Sequence, residues 1–202
     1  MKMKQWLTFG MSTFLAVLLS VSFADHHEDI HLGIRDGSAA VVEPHELADP
    51  PYTTERMFEE LIPGLFGTDV GWDFYTESGA SHPQLRRVTV RQVFISNGLF
   101  GVLEGQSDPL FGVGAPGVWT LEYDPNDPES VHQHIIFAST TLPDHHNPLR
   151  FQFELIDALD WHGNPVGNSV VYTLQFVPEP ASLTALGVMA LLGLRRRTRR
   201  NP

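Results

Sequence analysis

Apolar and polar residues alternate along most of this chain with a period of two, the signature of β-strands buried on one face. Ile30, Leu32 and Ile34 alternate with His31, Gly33 and Arg35, and Asp36-Gly37 then turns the chain into Ala39 to Val42, a hairpin of the Asp-Gly type. Arg87 to Ser96 predicts a long strand, and Asn97-Gly98 turns it into Leu99 to Leu103. Further strands are expected over Val118 to Tyr123, Val131 to Ser139, Leu149 to Ala158 and Ser169 to Phe176. The last two flank a turn-rich hairpin loop from Asp160 to Asn168. One stretch, Thr54 to Ile62, has apolar residues at helical spacing and Pro63-Gly64 as a stop; it is the one helical candidate, and Phe58 fits a strand equally. The fold class expected is all-β, a single antiparallel β-sandwich or jelly-roll-like domain.

The two ends differ in composition from the body. Lys2 and Lys4 precede an apolar run from Trp6 to Val21, and Ser22-Phe23-Ala24 fits a small-x-small cleavage site. Residues 1–24 are read as a signal peptide removed by signal peptidase. At the other end, Pro178, Glu179 and Pro180 are followed by an apolar run over 183–194. Five arginines come next, Arg195, Arg196, Arg197, Arg199 and Arg200. Pro-x-Pro is held extended, in a form a protease can read as a strand. Twelve apolar residues rise only about 18 Å as a helix, against a hydrocarbon core of about 30 Å. The arginines would remain on the cytoplasmic side of the membrane. This ordered triplet resembles the PEP-CTERM sorting signal, whose bearers are processed by a membrane-embedded exosortase. The resemblance implies export, transient membrane residence through 183–194, and a final place at the cell surface or in the extracellular matrix.

Between these segments lies one domain, residues 25–176, with residues 177–202 as sorting segment. The domain carries six arginines, no lysine and 23 acids, a net charge of −17 with histidine neutral. Such a surface repels nucleic acid and anionic lipid. The absence of cysteine excludes disulfides and thiol chemistry.

All ten histidines fall in this domain. In D-H-H-E-D-I-H, the period of a strand places His27, Asp29 and His31 on one face while Ile30 and Leu32 point inward. In V-H-Q-H-I-I-F, His132 and His134 share a face by the same rule. If the two strands were neighbours, three or four nitrogen and oxygen ligands would converge, a set suited to Zn²⁺. Unaided by a partner strand, both segments are polar surface. The H-E-D-I start, the H-Q-H-I-I-F strand and the G-N-P-V-G hairpin resemble a group of exported surface proteins of planctomycete-type bacteria. The H-x-H element is similar to one in actinobacterial surface-anchored repeats linked to zinc uptake. The matching positions are His27, Asp29, His132 and His134.

Other constellations carry less. Glu154, Asp157 and Asp160 would need to face one another to act as acid and base. Asp124, Asp127 and Glu129 lack the spacing of an EF-hand loop, and no G-x-S-x-G elbow is present. The sequence therefore reads as a non-enzymatic surface or matrix protein with histidines placed for a divalent metal. The alternative is a carbohydrate-binding or adhesion module for exopolysaccharide, with Trp119 and Trp161 as an aromatic platform.

Overall fold

The computed structural model describes residues 29–179. Residues 1–24, His27, Pro180 and the arginine cluster lie outside them. Among the described residues no helix is long and apolar enough to cross a membrane.

Among the described residues ten strands follow one another: β1 (Ile30–Arg35), β2 (Ser38–Glu43), β3 (Thr53–Ile62), β4 (Leu65–Phe74), β5 (Leu85–Ile95), β6 (Leu99–Leu103), β7 (Val118–Glu122), β8 (Gln133–Ser139), β9 (Leu149–Asp160) and β10 (Tyr172–Pro178). A single helical turn, α1 (His45–Ala48), and a 3-10 turn over Pro128–Val131 complete the elements. The fold is all-β, as the alternation requires. The Asp36-Gly37 hairpin forms with both residues at positive φ, 53° and 77°, the backbone that a two-residue turn of this type needs.

β3 belongs to both halves of the sheet. Thr53 to Phe58 pairs in parallel with β10, whereas Glu59 to Ile62 pairs antiparallel with β4. From β4 the pairing continues to β1 and β2 on one edge and to β8 and then β6 on the other. From β10 it continues through β9 and β5 to β7. Aromatic side chains from the two halves meet in the core. Trp72 of β4 contacts Trp119 of β7 at 5.8 Å and Phe153 of β9 at 5.1 Å between ring centroids. Phe137 of β8 meets Phe151 and Phe176 at 4.9 and 5.1 Å. Phe and Trp side chains contribute the largest apolar area per residue, so these contacts fix how the halves face one another.

Two expectations are corrected. The sheet is mixed rather than wholly antiparallel, because β1 runs parallel to β4 and β10 parallel to β3. Thr54 to Ile62 is strand rather than helix. Thr54, Arg56 and Phe58 alternate inward, and Phe58 is fully buried with its ring 4.9 Å from that of Phe176. Packing against a paired neighbour overrides the local spacing that favoured a helix. β10 also runs through Pro178, two residues past the expected boundary at 176, and Glu179 donates its backbone N–H to the Phe58 carbonyl at 3.2 Å.

Candidate metal-binding face

β4 supplies the centre of the site. Its Val70, Trp72 and Phe74 point into the core, so Asp69, Gly71 and Asp73 share the opposite face. The register sets Gly71 beside His134 of β8 and Trp72 beside Ile30 of β1, which brings Asp29 next to Gly71. A side chain at position 71 would collide with the Asp29 carboxylate. The glycine thus leaves a hollow in the sheet surface, and Asp29 folds over it.

The two histidines stand together on the β8 side of that hollow, across from Asp29. The Nδ1 of His134 lies 2.8 Å from Asp69 Oδ2. Its Nε2 lies 3.0 Å from Nε2 of His132. The Nδ1 of His132 is 3.8 Å from Asp29 Oδ2 and 3.7 Å from Asp73 Oδ2. A chain of acid, imidazole, imidazole and acid therefore crosses three strands. Asp69 is the least exposed of its carboxylates, and its Oδ1 is buried without a hydrogen-bond partner among the described residues. Burial raises the Asp69 carboxyl above its usual range; the His134 imidazole pulls it back, and Glu104 adds to the rise.

His31 does not join this chain. It lies on β1, but its Nδ1 sits 2.8 Å from Glu43 Oε2 across the β1–β2 hairpin. A register shift between His31 and Leu32 accompanies that pairing. Of the five residues expected at the site, the structure brings together Asp29, His132 and His134 and directs His31 elsewhere; His27 is outside the described residues. Asp69 and Asp73 are members that the sequence reading did not find. Their signal was present in D-V-G-W-D, where polar or small positions alternate with Val70 and Trp72. Among the described residues, no three His, Cys, Asp or Glu side chains stand as a ready-made metal site.

The remaining candidates resolve simply. Trp119 is buried in the core against Trp72 and offers no platform to a sugar. The Trp161 ring is stacked on His82 at 4.4 Å with the planes 1° apart, so one of its faces is covered. Asp124 accepts from the Asn126 backbone and side-chain amides at 2.8 and 3.0 Å, closing a local turn. Glu154 accepts two hydrogen bonds from Arg91, and Asp160 accepts two from Asn164. Glu154 is thus held by Arg91 through Oε1, and Asp160 is engaged within its own loop.

Comparison with known protein families, curated proteins and solved structures finds no match to this chain.

Proposed function

We propose that this is an exported, non-enzymatic surface or matrix protein whose β-domain binds a divalent metal, with Zn²⁺ the best fit, on the outer face of β1, β4 and β8. The reading rests on the 3.0 Å approach of the two Nε2 atoms. With Nδ1–H of His134 directed at Asp69, the Nε2 of that ring presents a lone pair. Proton placement on Nδ1 of His132, facing Asp29 and Asp73, does the same for its Nε2. Two lone pairs at that distance repel unless a proton or a cation lies between them. Two imidazole ligands of a tetrahedral Zn²⁺ stand about 3.3 Å apart, given Zn–N bonds of about 2.0–2.1 Å, so a shift of a few tenths of an ångström suffices. One of Asp29 and Asp73 suffices to face His132 Nδ1, and the other, by side-chain rotation toward the Nε2 atoms, supplies a third ligand. Asp69 holds the ring of His134, the position that carboxylates take behind metal-bound histidines. A cation close by would also offset the unfavourable burial of the Asp69 charge.

The test is calorimetric titration and thermal melting of the full-length chain with Zn²⁺. Saturation at a hundredfold excess over the dissociation constant stabilises the fold by about 2.7 kcal/mol. Wild-type protein is expected to bind with a rise in Tm, and the His132→Ala, His134→Ala double variant to lose both. No heat and no shift for the wild type, or an equal shift for the double variant, would overturn the metal reading.

The address is a separate part of the proposal. It rests on the basic start, the Pro-Glu-Pro tripeptide and the arginine cluster. Mass spectrometry of the surface-associated form is expected to find neither residues 1–24 nor the arginine tail. An intact tail there would make it a plain anchor.

A further inference from the structure

A second surface feature lies on the other half of the sheet and shares no residue with the metal-binding face. β5 and β7 present Arg87, Thr89, Thr120 and Glu122 outward, while Val88, Val90, Trp119 and Leu121 point into the core. Between Arg87 and Thr89 the register against β9 shifts, so that Arg87 faces Leu159 and Thr89 faces Ile156. The extra β9 residue makes a bulge, and Asp157 adopts φ 50° there. Positive φ is unfavourable for a residue with a side chain, and a bulge re-aims the side chain it carries. The loop after β9 then folds back: Val166 donates its N–H to the Ala158 carbonyl at 3.1 Å, and Ser169 to that of Leu155 at 3.0 Å. This return closes a cleft of about 530 Å³ lined by Arg87, Glu122, Asp157 and Asn168 with Pro165 and Val166 as its apolar wall.

The charged groups of the cleft are unmatched in a way that their neighbours are not. Arg91 and Glu154, further along the same face, close on each other at 2.7 Å. Thr89 and Thr120 share a hydrogen bond of 2.8 Å. Arg87 and Glu122 are cross-strand partners in register, yet among the described residues neither they nor Asp157 forms an ion pair. A guanidinium donor, two carboxylate acceptors and an amide thus line one open groove with their hydrogen-bonding capacity available.

From this we infer that the cleft is a binding site for a neutral oligosaccharide, a segment of two or three sugar units. Vicinal hydroxyls donate to a carboxylate and accept from a guanidinium at once, so a sugar satisfies Arg87, Glu122 and Asp157 together. Pro165 and Val166 fit the apolar C–H face of a ring. The volume lies within the range of small-ligand sites, about 300–1,000 Å³. Phosphorylated or uronic acid ligands are disfavoured by two carboxylates against one arginine and by the acidity of the whole domain.

The experiment titrates the full-length chain by calorimetry with cellohexaose, maltohexaose, mannohexaose and xylohexaose. Polygalacturonate hexamer serves as the anionic control and free lysine as the zwitterionic one. At least one neutral hexasaccharide is expected to bind, and Arg87→Gln and Asp157→Asn each to weaken it tenfold or more. Asparagine tolerates the left-handed backbone at 157, and circular dichroism confirms that both variants fold. Binding is expected to persist in EDTA and in the His132→Ala, His134→Ala variant, so its failure and that of the metal reading are separate results. No binding of any neutral hexasaccharide, binding of lysine or polygalacturonate alone, or affinities unchanged by both substitutions would overturn the inference.

Discussion

The carboxylate of Asp29 occupies the space that a side chain at Gly71 would fill. That relationship ties the segment leading into β1 to the centre of β4 and holds an acid 3.8 Å from His132 Nδ1.

It leads directly to a test. Gly71→Ala is expected to displace Asp29 and weaken Zn²⁺ binding by about tenfold or more, while overpacking at the β1–β4 junction costs about 1–3 kcal/mol of stability. Zinc titration alongside chemical denaturation measures both. Undiminished zinc affinity in a destabilised variant would remove Asp29 from the ligand set.

In the proposed metal site Asp69 acts through His134, whose Nδ1 it faces at 2.8 Å. Asp69→Ala is expected to weaken zinc by about ten- to a hundredfold, the usual consequence of losing the carboxylate behind a ligating histidine. Competition against a chelator of known affinity provides the measurement. Asp69→Asn, which keeps an oxygen to accept from Nδ1–H, is expected to recover part of the loss.

Tyr172 joins β10 to the first hairpin. Its hydroxyl oxygen accepts the Val41 backbone N–H at 3.1 Å, and both residues are buried. Tyr172→Phe leaves that donor without a partner and is expected to cost about 1–3 kcal/mol. Burial also raises the Tyr172 phenol above its ordinary value of 10.0. Because the unfolded phenol ionises first, the wild type is expected to lose stability as pH rises through 10.0, a loss that the Phe variant lacks. Urea denaturation from pH 8 to 11 would show it.

Asp160 has the opposite sign. The side-chain and backbone amides of Asn164 hold its carboxyl below the usual 3.8. The contribution is present above pH 3.8 and is lost as pH falls through the lower folded value. Asp160→Asn is expected to melt lower than wild type at pH 7, with the gap closing below pH 3.8. A gap that persists unchanged at pH 2 would assign the loss to loop packing instead.

The sequence by itself determined which way side chains face. The period of two put Asp29 with His31, and His132 with His134, on shared outward faces, and it made Asp36-Gly37 a hairpin turn, because strand pleat and turn geometry are local properties. Partnership is not local. The β1–β4 and β10–β3 pairings are parallel and join segments far apart in the chain, and no local spacing specifies them. Only that topology places Asp69 and Asp73 beside the histidines, turns His31 toward Glu43, draws Trp119 into the core and holds Thr53–Ile62 as strand. In each case the side chain's direction was written in its immediate neighbours, while what it meets was decided by which distant strand the buried aromatic residues hold alongside it.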